Sequence, residues 1–277
     1  MQQRKIALIR HYHRPDIEDS ILAFKTRIEA ANFSVIDGDN QTDYTGVELI
    51  VVFGGDGTIL QAAEFARGYQ VPILGINYGH VGFLAEVDRD SLEVVVEAIV
   101  NRSWTVDERM TIDVTVRKPD TSEESGWALN EVSVEKDPPA RMIETDLAVD
   151  GRGVSSFKCD GVLLSTPTGS TGYNYSAGGP IVWPNVEALV MIPIAAHALF
   201  TRPLVTSPES TLEVQIRADD ALVTCDGRRV ISAPPGSVVT ARRGKKPVLL
   251  ARLNDAPFSA RLVAKFKLPV EGWRNSD

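Results

Sequence analysis

At 277 residues the chain is long enough for two domains that each bury a core. Its apolar fraction of 43% and charged fraction of 24% are ordinary for a soluble globular protein, and a formal net charge of -8 with a pI near 5.1 argues against a nucleic-acid binder. Cys159 and Cys225 alone supply no disulfide framework and no closely spaced cysteine zinc site, which points to a reducing cytoplasm; a polar start and the lack of any run of about 18 apolar residues predict neither export nor a membrane span.

Lys5 to Arg10 is a short apolar run that fits a buried parallel strand. Ile17, Ile21, Phe24 and Ile28 then fall on one face of a helix over 15–31, with Pro15 near its start, where proline is tolerated. Val35 and Ile36 suggest a second strand. Leu49 to Phe53 suggests a third, which runs into Gly54-Gly55-Asp56-Gly57-Thr58 and a helix over about 58–67. Strand and helix alternate as in an open α/β sheet, whose ligands gather at the carboxyl ends of the strands. Glycines let a backbone approach a phosphate closely, and a helix start favours an anion. Asp56 would repel a polyphosphate unless a divalent cation or a transferring proton gives it a task, so the turn suggests chemistry; the plainer reading is a helix cap worth about 1 kcal/mol. Val71 to Asn77 predicts another strand, followed by a glycine loop with His80 and Phe83. A helix over 88–103, capped by Asp88 or Asp90, closes a first domain at about residue 102.

From Trp104 the period changes to two. Met110 to Val116 and Leu212 to Ile216 alternate, and turn signals separate many short β-branched runs, which predicts an all-β sandwich over 103–255. The cluster of Arg242, Arg243, Lys245 and Lys246 reads as a solvated turn. Two stretches do not behave like scaffold. Asn130 and Glu131 interrupt an apolar strand, either as an exposed edge pair or to meet a ligand rich in hydroxyls, since burying Glu131 unpaired is costly. After the strand 162–164, the run from Ser165 to Pro180 is rich in Ser, Thr and Gly, but Pro167, Tyr173 and Tyr175 set it apart from a flexible linker. Phe258, Leu262, Val263 and Phe266 predict a closing helix.

GGDGT resembles the signature shared by NAD kinases, diacylglycerol and sphingosine kinases and 6-phosphofructokinases. With NYGHVGF, ALNEV and DGVLLSTPTGSTGYNYSAGGPI following in order, residues 49–240 are similar to the bacterial type of NAD kinase. The resemblance implies Asp56 as acceptor of the ribose 2′-hydroxyl proton, Gly55 and Gly57 beside passing phosphates, Phe83 against a base, and Asn130 with Glu131 on the ribose and phosphate region of NAD. It extends nucleotide contact to Arg141, Lys158, Asp160, Thr168, Thr171, Gly172, Tyr173 and Ser176, and has Ala195 reach a nucleotide held mainly by a neighbouring subunit. It further implies an active site in the cleft between the domains, a 256–277 segment packed back on the first domain, and a homodimer or homotetramer.

Gly172 stands where many relatives have alanine, Ala196 replaces a frequent proline, and Arg228 stands where some relatives carry glutamine. Lys158 resembles members that prefer oxidised NAD. The expected reaction moves a phosphoryl group from ATP or polyphosphate to NAD, giving NADP, with Mg2+ or another divalent cation on the donor and no protein metal site assigned. A catalytically silent NAD(P)-binding regulator and a lipid kinase are the rivals, the second lacking any basic amphipathic helix.

Overall fold

The computed structural model describes residues 3–11, 17–78, 82–88, 92–199, 201–253 and 256–270. Two compact units divide it: residues 1–108 with 248–277, and residues 109–247. The sequence reading placed these joins after residues 102 and 255.

The first unit is built from β1 (Arg4–Arg10), α1 (Glu18–Ala30), β2 (Phe33–Asp37), β3 (Leu49–Gly54), α2 (Asp56–Tyr69), β4 (Ile73–Asn77), β5 (Val87–Asp88), α3 (Leu92–Asn101) and β6 (Thr105–Arg109). Its sheet runs β2-β1-β3-β4 and then takes a late strand of the chain before β6, with β5 also on β4. β1, β2, β3, β4 and β5 pair in parallel. A parallel sheet covered on both faces needs strands apolar throughout, and every residue of β3 is buried. The four apolar positions predicted for α1 are all buried. α2 presents Ile59 and the small Ala62, Ala63 and Ala66 to the sheet, which brings its axis close. The predicted cap Asp88 lies instead in β5 beside Asn77, ahead of α3, because its backbone is spent on sheet pairing; Asp90, Pro15 and His80 lie outside the described residues.

The second unit holds β7 (Ile112–Arg117), β8 (Glu123–Ala128), β9 (Glu131–Lys136), β10 (Ile143–Val149), β11 (Arg152–Cys159), β12 (Gly161–Ser165), α4 (Tyr173–Ser176), β13 (Leu189–Ile194), β14 (Leu204–Thr206), β15 (Leu212–Ala218), β16 (Ala221–Cys225), β17 (Arg229–Ala233) and β18 (Val238–Arg243). Among the described residues these form two antiparallel six-stranded sheets, β11-β10-β15-β18-β7-β8 and β14-β13-β12-β9-β16-β17. Ile112, Val114 and Val116 of one sheet and Val132, Val134 and Val223 of the other share one core, as period-two strands with one dry face must. β12 is buried on both faces: Val162 and Leu164 face that core, while Leu163 packs with Val182, Val190 and Ile192 on the outside. After β18 the chain returns to the first unit with β19 (Val248–Arg252), parallel to β4, and α5 (Phe258–Phe266). The sequence reading had counted β19 with the sandwich; its burial inside a parallel sheet follows from the apolar run Val248–Ala251.

Candidate active site

In the first unit the carboxyl ends of β3 and β4 are level, with Gly54 paired to Asn77, and the glycine turn and the 82–86 segment rise from them. Asp56 is the first residue of α2, and the cap position is Gly55, with no side-chain cap bond. The capping role is therefore not what holds the carboxylate. Its two oxygens instead accept the backbone N–H groups of Phe83 (2.9 Å) and Leu84 (3.1 Å). Gly82 passes so close that a Cβ there would lie 2.2 Å from Asp56 Oδ1, so any other residue would push the carboxylate aside. Gly55 and Gly57 differ: a Cβ on either would meet nothing within 4 Å, so the chain's own packing does not require them. Phe83 is 8% exposed, its ring 5.5 Å from that of Phe258 and 6.0 Å from that of Phe266. Its present neighbours are aromatic rings of the C-terminal helix, which a base would have to share.

In the second unit Asn130 and Glu131 do not sit inside a strand. β8 ends at Ala128, the chain bends, and Glu131 opens β9. The cause is Asp226, whose buried carboxylate accepts the N–H groups of Leu129 (2.9 Å) and Asn130 (2.7 Å) that a continuous strand would spend on a neighbour. Arg229 Nη2 closes the same carboxylate at 2.7 Å. Burial nevertheless holds the Asp226 carboxyl above the usual carboxylate range. Thr166 secures the bend from the other side, its hydroxyl donating to Leu129 O and its N–H to Asn130 O. Gly169 crosses directly over it: a Cβ there would lie 2.1 Å from the Asn130 carbonyl oxygen.

The bend leaves Asn130 Oδ1 and Glu131 Oε2 buried without a hydrogen-bond partner among the described residues. Such atoms are costly unless something supplies donors. Burial, then the charges of Asp226 and Glu135, push the Glu131 carboxyl up to about 8, so near neutrality the group holds a proton it can donate. Gly172 lies over the pair, the position of its missing Cβ being 3.5 Å from Glu131 Oε2 and 3.9 Å from Asn130 Nδ2. Alanine fits there, which explains physically why that exchange is small.

The Ser/Thr/Gly run is a fixed cap. Ser170 Oγ donates to Pro167 O and accepts Val182 N–H, and Asn174 donates to Ser170 O and Pro180 O. Thr168 is buried and Thr171 half-buried, whereas Gly172, Tyr173 and Ser176 are exposed. Tyr173 donates its hydroxyl to Glu135 at 2.9 Å, and burial with that bond pushes its phenol up to about 12. The next residue of β9, Lys136, donates to Asp160 at 2.6 Å and to the carbonyl of Arg141 at 3.1 Å. β9 thus joins the Asn130, Glu131 and Tyr173 group to the Asp160 and Arg141 group. Lys158 is exposed, 3.9 Å from Glu144, and its carbonyl accepts His197 N–H, which brings the 194–197 loop alongside. In that loop Ala195 is exposed and holds a left-handed backbone, with φ 48°. Arg228 follows Asp226 and Gly227 in the β16–β17 turn, its N–H bonded to Cys225 O.

Asp226, Glu135, Thr166 and Gly169 were missed as site residues. The only sequence signal for Asp226 was an Asp-Gly turn, which does not reveal that the carboxylate points back under another strand.

A parallel α/β unit with a carboxylate on a glycine turn is followed by a sandwich whose bend leaves two buried side-chain oxygens without partners among the described residues. Residues 19–104 match the family model described as the ATP-NAD kinase N-terminal domain, and residues 129–253 match that of the ATP-NAD kinase C-terminal domain. NAD kinase 2 of Streptomyces coelicolor is 56% identical over 83% of this chain and 77% of that protein; NAD kinase of Mycobacterium tuberculosis is 51% identical over 90% and 81%. Yeast NADH kinase, solved with NADH, shares the fold at a TM-score of 0.90 and 20% identity, over 99% of this chain and 90% of its own. An NAD kinase from Archaeoglobus fulgidus in complex with ATP aligns at a TM-score of 0.78 and 28% identity, over 95% and 98%. The chain belongs to the NAD kinase family.

Proposed function

We propose that the protein transfers the γ-phosphoryl group of ATP to the 2′-hydroxyl of the adenosine ribose of NAD, giving NADP. The observation that carries this reading is the pair of buried oxygens, Asn130 Oδ1 and Glu131 Oε2, left without partners at a bend built to hold them there. Vicinal ribose hydroxyls are donors and acceptors at once, and a protonated Glu131 beside Asn130 complements both roles. Tyr173 lends a partly exposed ring to the same group, and Thr168, Thr171, Ser176, Lys158, Asp160, Arg141 and Ala195 serve as further nucleotide contacts.

Asp56 accepts the hydroxyl proton as the phosphoryl group arrives, a role typically worth ~10²- to 10⁴-fold in rate. The amides of Phe83 and Leu84 hold the carboxylate still while each oxygen keeps a lone pair. The open space at Gly55 and Gly57 suits phosphates passing close to backbone. Among the described residues no group of three or more His, Cys, Asp or Glu is gathered to cage a metal. A divalent cation brought by the nucleotide on its phosphates would meet Asp56, the carboxylate of the glycine turn. Such an ion, when bound, neutralises phosphate charge. Polyphosphate as an alternative donor, a homodimer or homotetramer, and a cytoplasmic location complete the reading; no described helix is long and apolar enough to cross a membrane.

The test is incubation with NAD, ATP and Mg2+, with NADP read through an NADP-specific dehydrogenase. Wild-type protein turns over and folded Asp56→Asn is slower by roughly 10²- to 10⁴-fold. Absence of NADP would leave the silent-regulator reading standing, and near-normal turnover by the variant would sink the assignment of the base.

A further inference from the structure

The segment that holds Asp56 through its amides is gripped on its carbonyl side by two arginines from the far end of the chain. Arg261, on α5, donates to the carbonyl oxygens of Phe83 (3.4 Å) and Ala85, and Arg252, ending β19, donates to that of Leu84 (3.1 Å). Both guanidiniums meet Glu86 Oε2, at 3.0 Å for Arg252 and 2.7 Å for Arg261, and the Glu86 side chain has no exposed surface. Glu86 Oε1 accepts Leu253 N–H at 3.1 Å, Glu86 N–H is spent on Gly75 O, and Arg252 also pairs with Asp107. Three successive carbonyls are thus tied down on one side while two successive amides are aimed at one carboxylate on the other. The Phe83 carbonyl and the Leu84 N–H are opposite ends of one peptide group, so Arg261 and Asp56 Oδ1 polarise the same amide from its two ends. Phe258 and Phe266, on the same helix as Arg261, pack the Phe83 ring.

We infer that Arg261 is a positioning residue for the reaction: through the 83–85 carbonyls it fixes the amides that hold Asp56 in its reactive orientation. The inference rests on Asp56 being the base. A displaced base still leaves both substrates bound, so the cost falls on kcat and not on KM, and misplacement of this kind costs roughly 10- to 100-fold.

Five variants test it beside the wild type: R261M, R261Q, R261K, D56N and the double variant D56N/R261M. For each, kcat and the KM values for NAD and ATP are measured, with hydrogen–deuterium exchange of a peptide covering residues 82–86. R261M is expected to lower kcat by about 10- to 100-fold with both KM values within about twofold of wild type and faster exchange at 82–86. R261K restores most of kcat, since an ammonium still reaches Glu86 and one carbonyl. In the D56N background the R261M change alters the residual rate less than about twofold, because the residue acts through Asp56. R261Q runs alongside with the same expectation, so that misfolding of R261M decides nothing alone. Wild-type kcat in a folded Arg261 variant, a loss carried by KM, or an equal loss in the D56N background overturns the inference. Near-normal turnover of D56N overturns the base itself, a failure visible before Arg261 is touched.

Discussion

Replacing Glu131 with glutamine tests the electrostatics of the Asn130 bend without asking for activity. In the folded chain burial, Asp226 and Glu135 push this carboxyl up to about 8 from an ordinary 4.5. Below pH 4.5 folded and unfolded chains both hold the proton and stability does not depend on this group. Between 4.5 and about 8 the unfolded chain has released it and the folded chain has not, so each rise in pH favours unfolding; above about 8 the loss is complete. Inside that window the slope is about 1.4 kcal/mol per pH unit, or roughly 3–5 °C of melting temperature per pH unit for a unit of this size. Glutamine has no proton to lose. Thermal melts at pH 5.5, 6.5 and 7.5 should show the wild type falling toward, or below, E131Q as pH rises. A residual slope in the variant is expected from Asp226, also held up by burial. A wild-type-minus-variant difference that is constant across the three pH values would refute the reasoning, because it would mean that Glu131 is ionised throughout.

Gly169→Ala forces a methyl group against the Asn130 carbonyl and should cost about 1–3 kcal/mol or more, read as a lower urea midpoint, with NAD affinity falling alongside. Gly172→Ala meets only ordinary contacts and should leave stability within about 0.5 kcal/mol by the same measurement. Asp226→Asn keeps the shape but weakens the grip on two amides and removes the negative charge that Arg229 pairs with; NAD titration should show weaker binding with ATP affinity unchanged. Glu48 is held down to about 2 by hydrogen bonds from Arg4 and Arg102. The stability it adds is present above pH 4.5 and lost as pH falls toward 2, so wild type and Glu48→Gln should converge in acid melts.

Much of this protein is written locally. The apolar spacing of Ile17, Ile21, Phe24 and Ile28 determines the buried face of α1, the continuous run Leu49–Phe53 determines a central strand, and period-two runs such as Leu212–Ile216 determine the sandwich, because helix and strand periods are properties of neighbours along the chain. The glycine turn around Asp56 and the Ser/Thr/Gly run were legible for the same reason. What those residues are tied to was not. Asp226 reaches Asn130 from 96 residues away, and Arg261 reaches Ala85 from 176 away. Nothing in either local pattern marks these partners, because a hydrogen bond is decided by where folding brings donor and acceptor. The bend that empties the hydrogen-bonding positions of Asn130 and Glu131, the return of β19 to the parallel sheet, and the amides spent on Asp56 therefore belong to the tertiary structure alone.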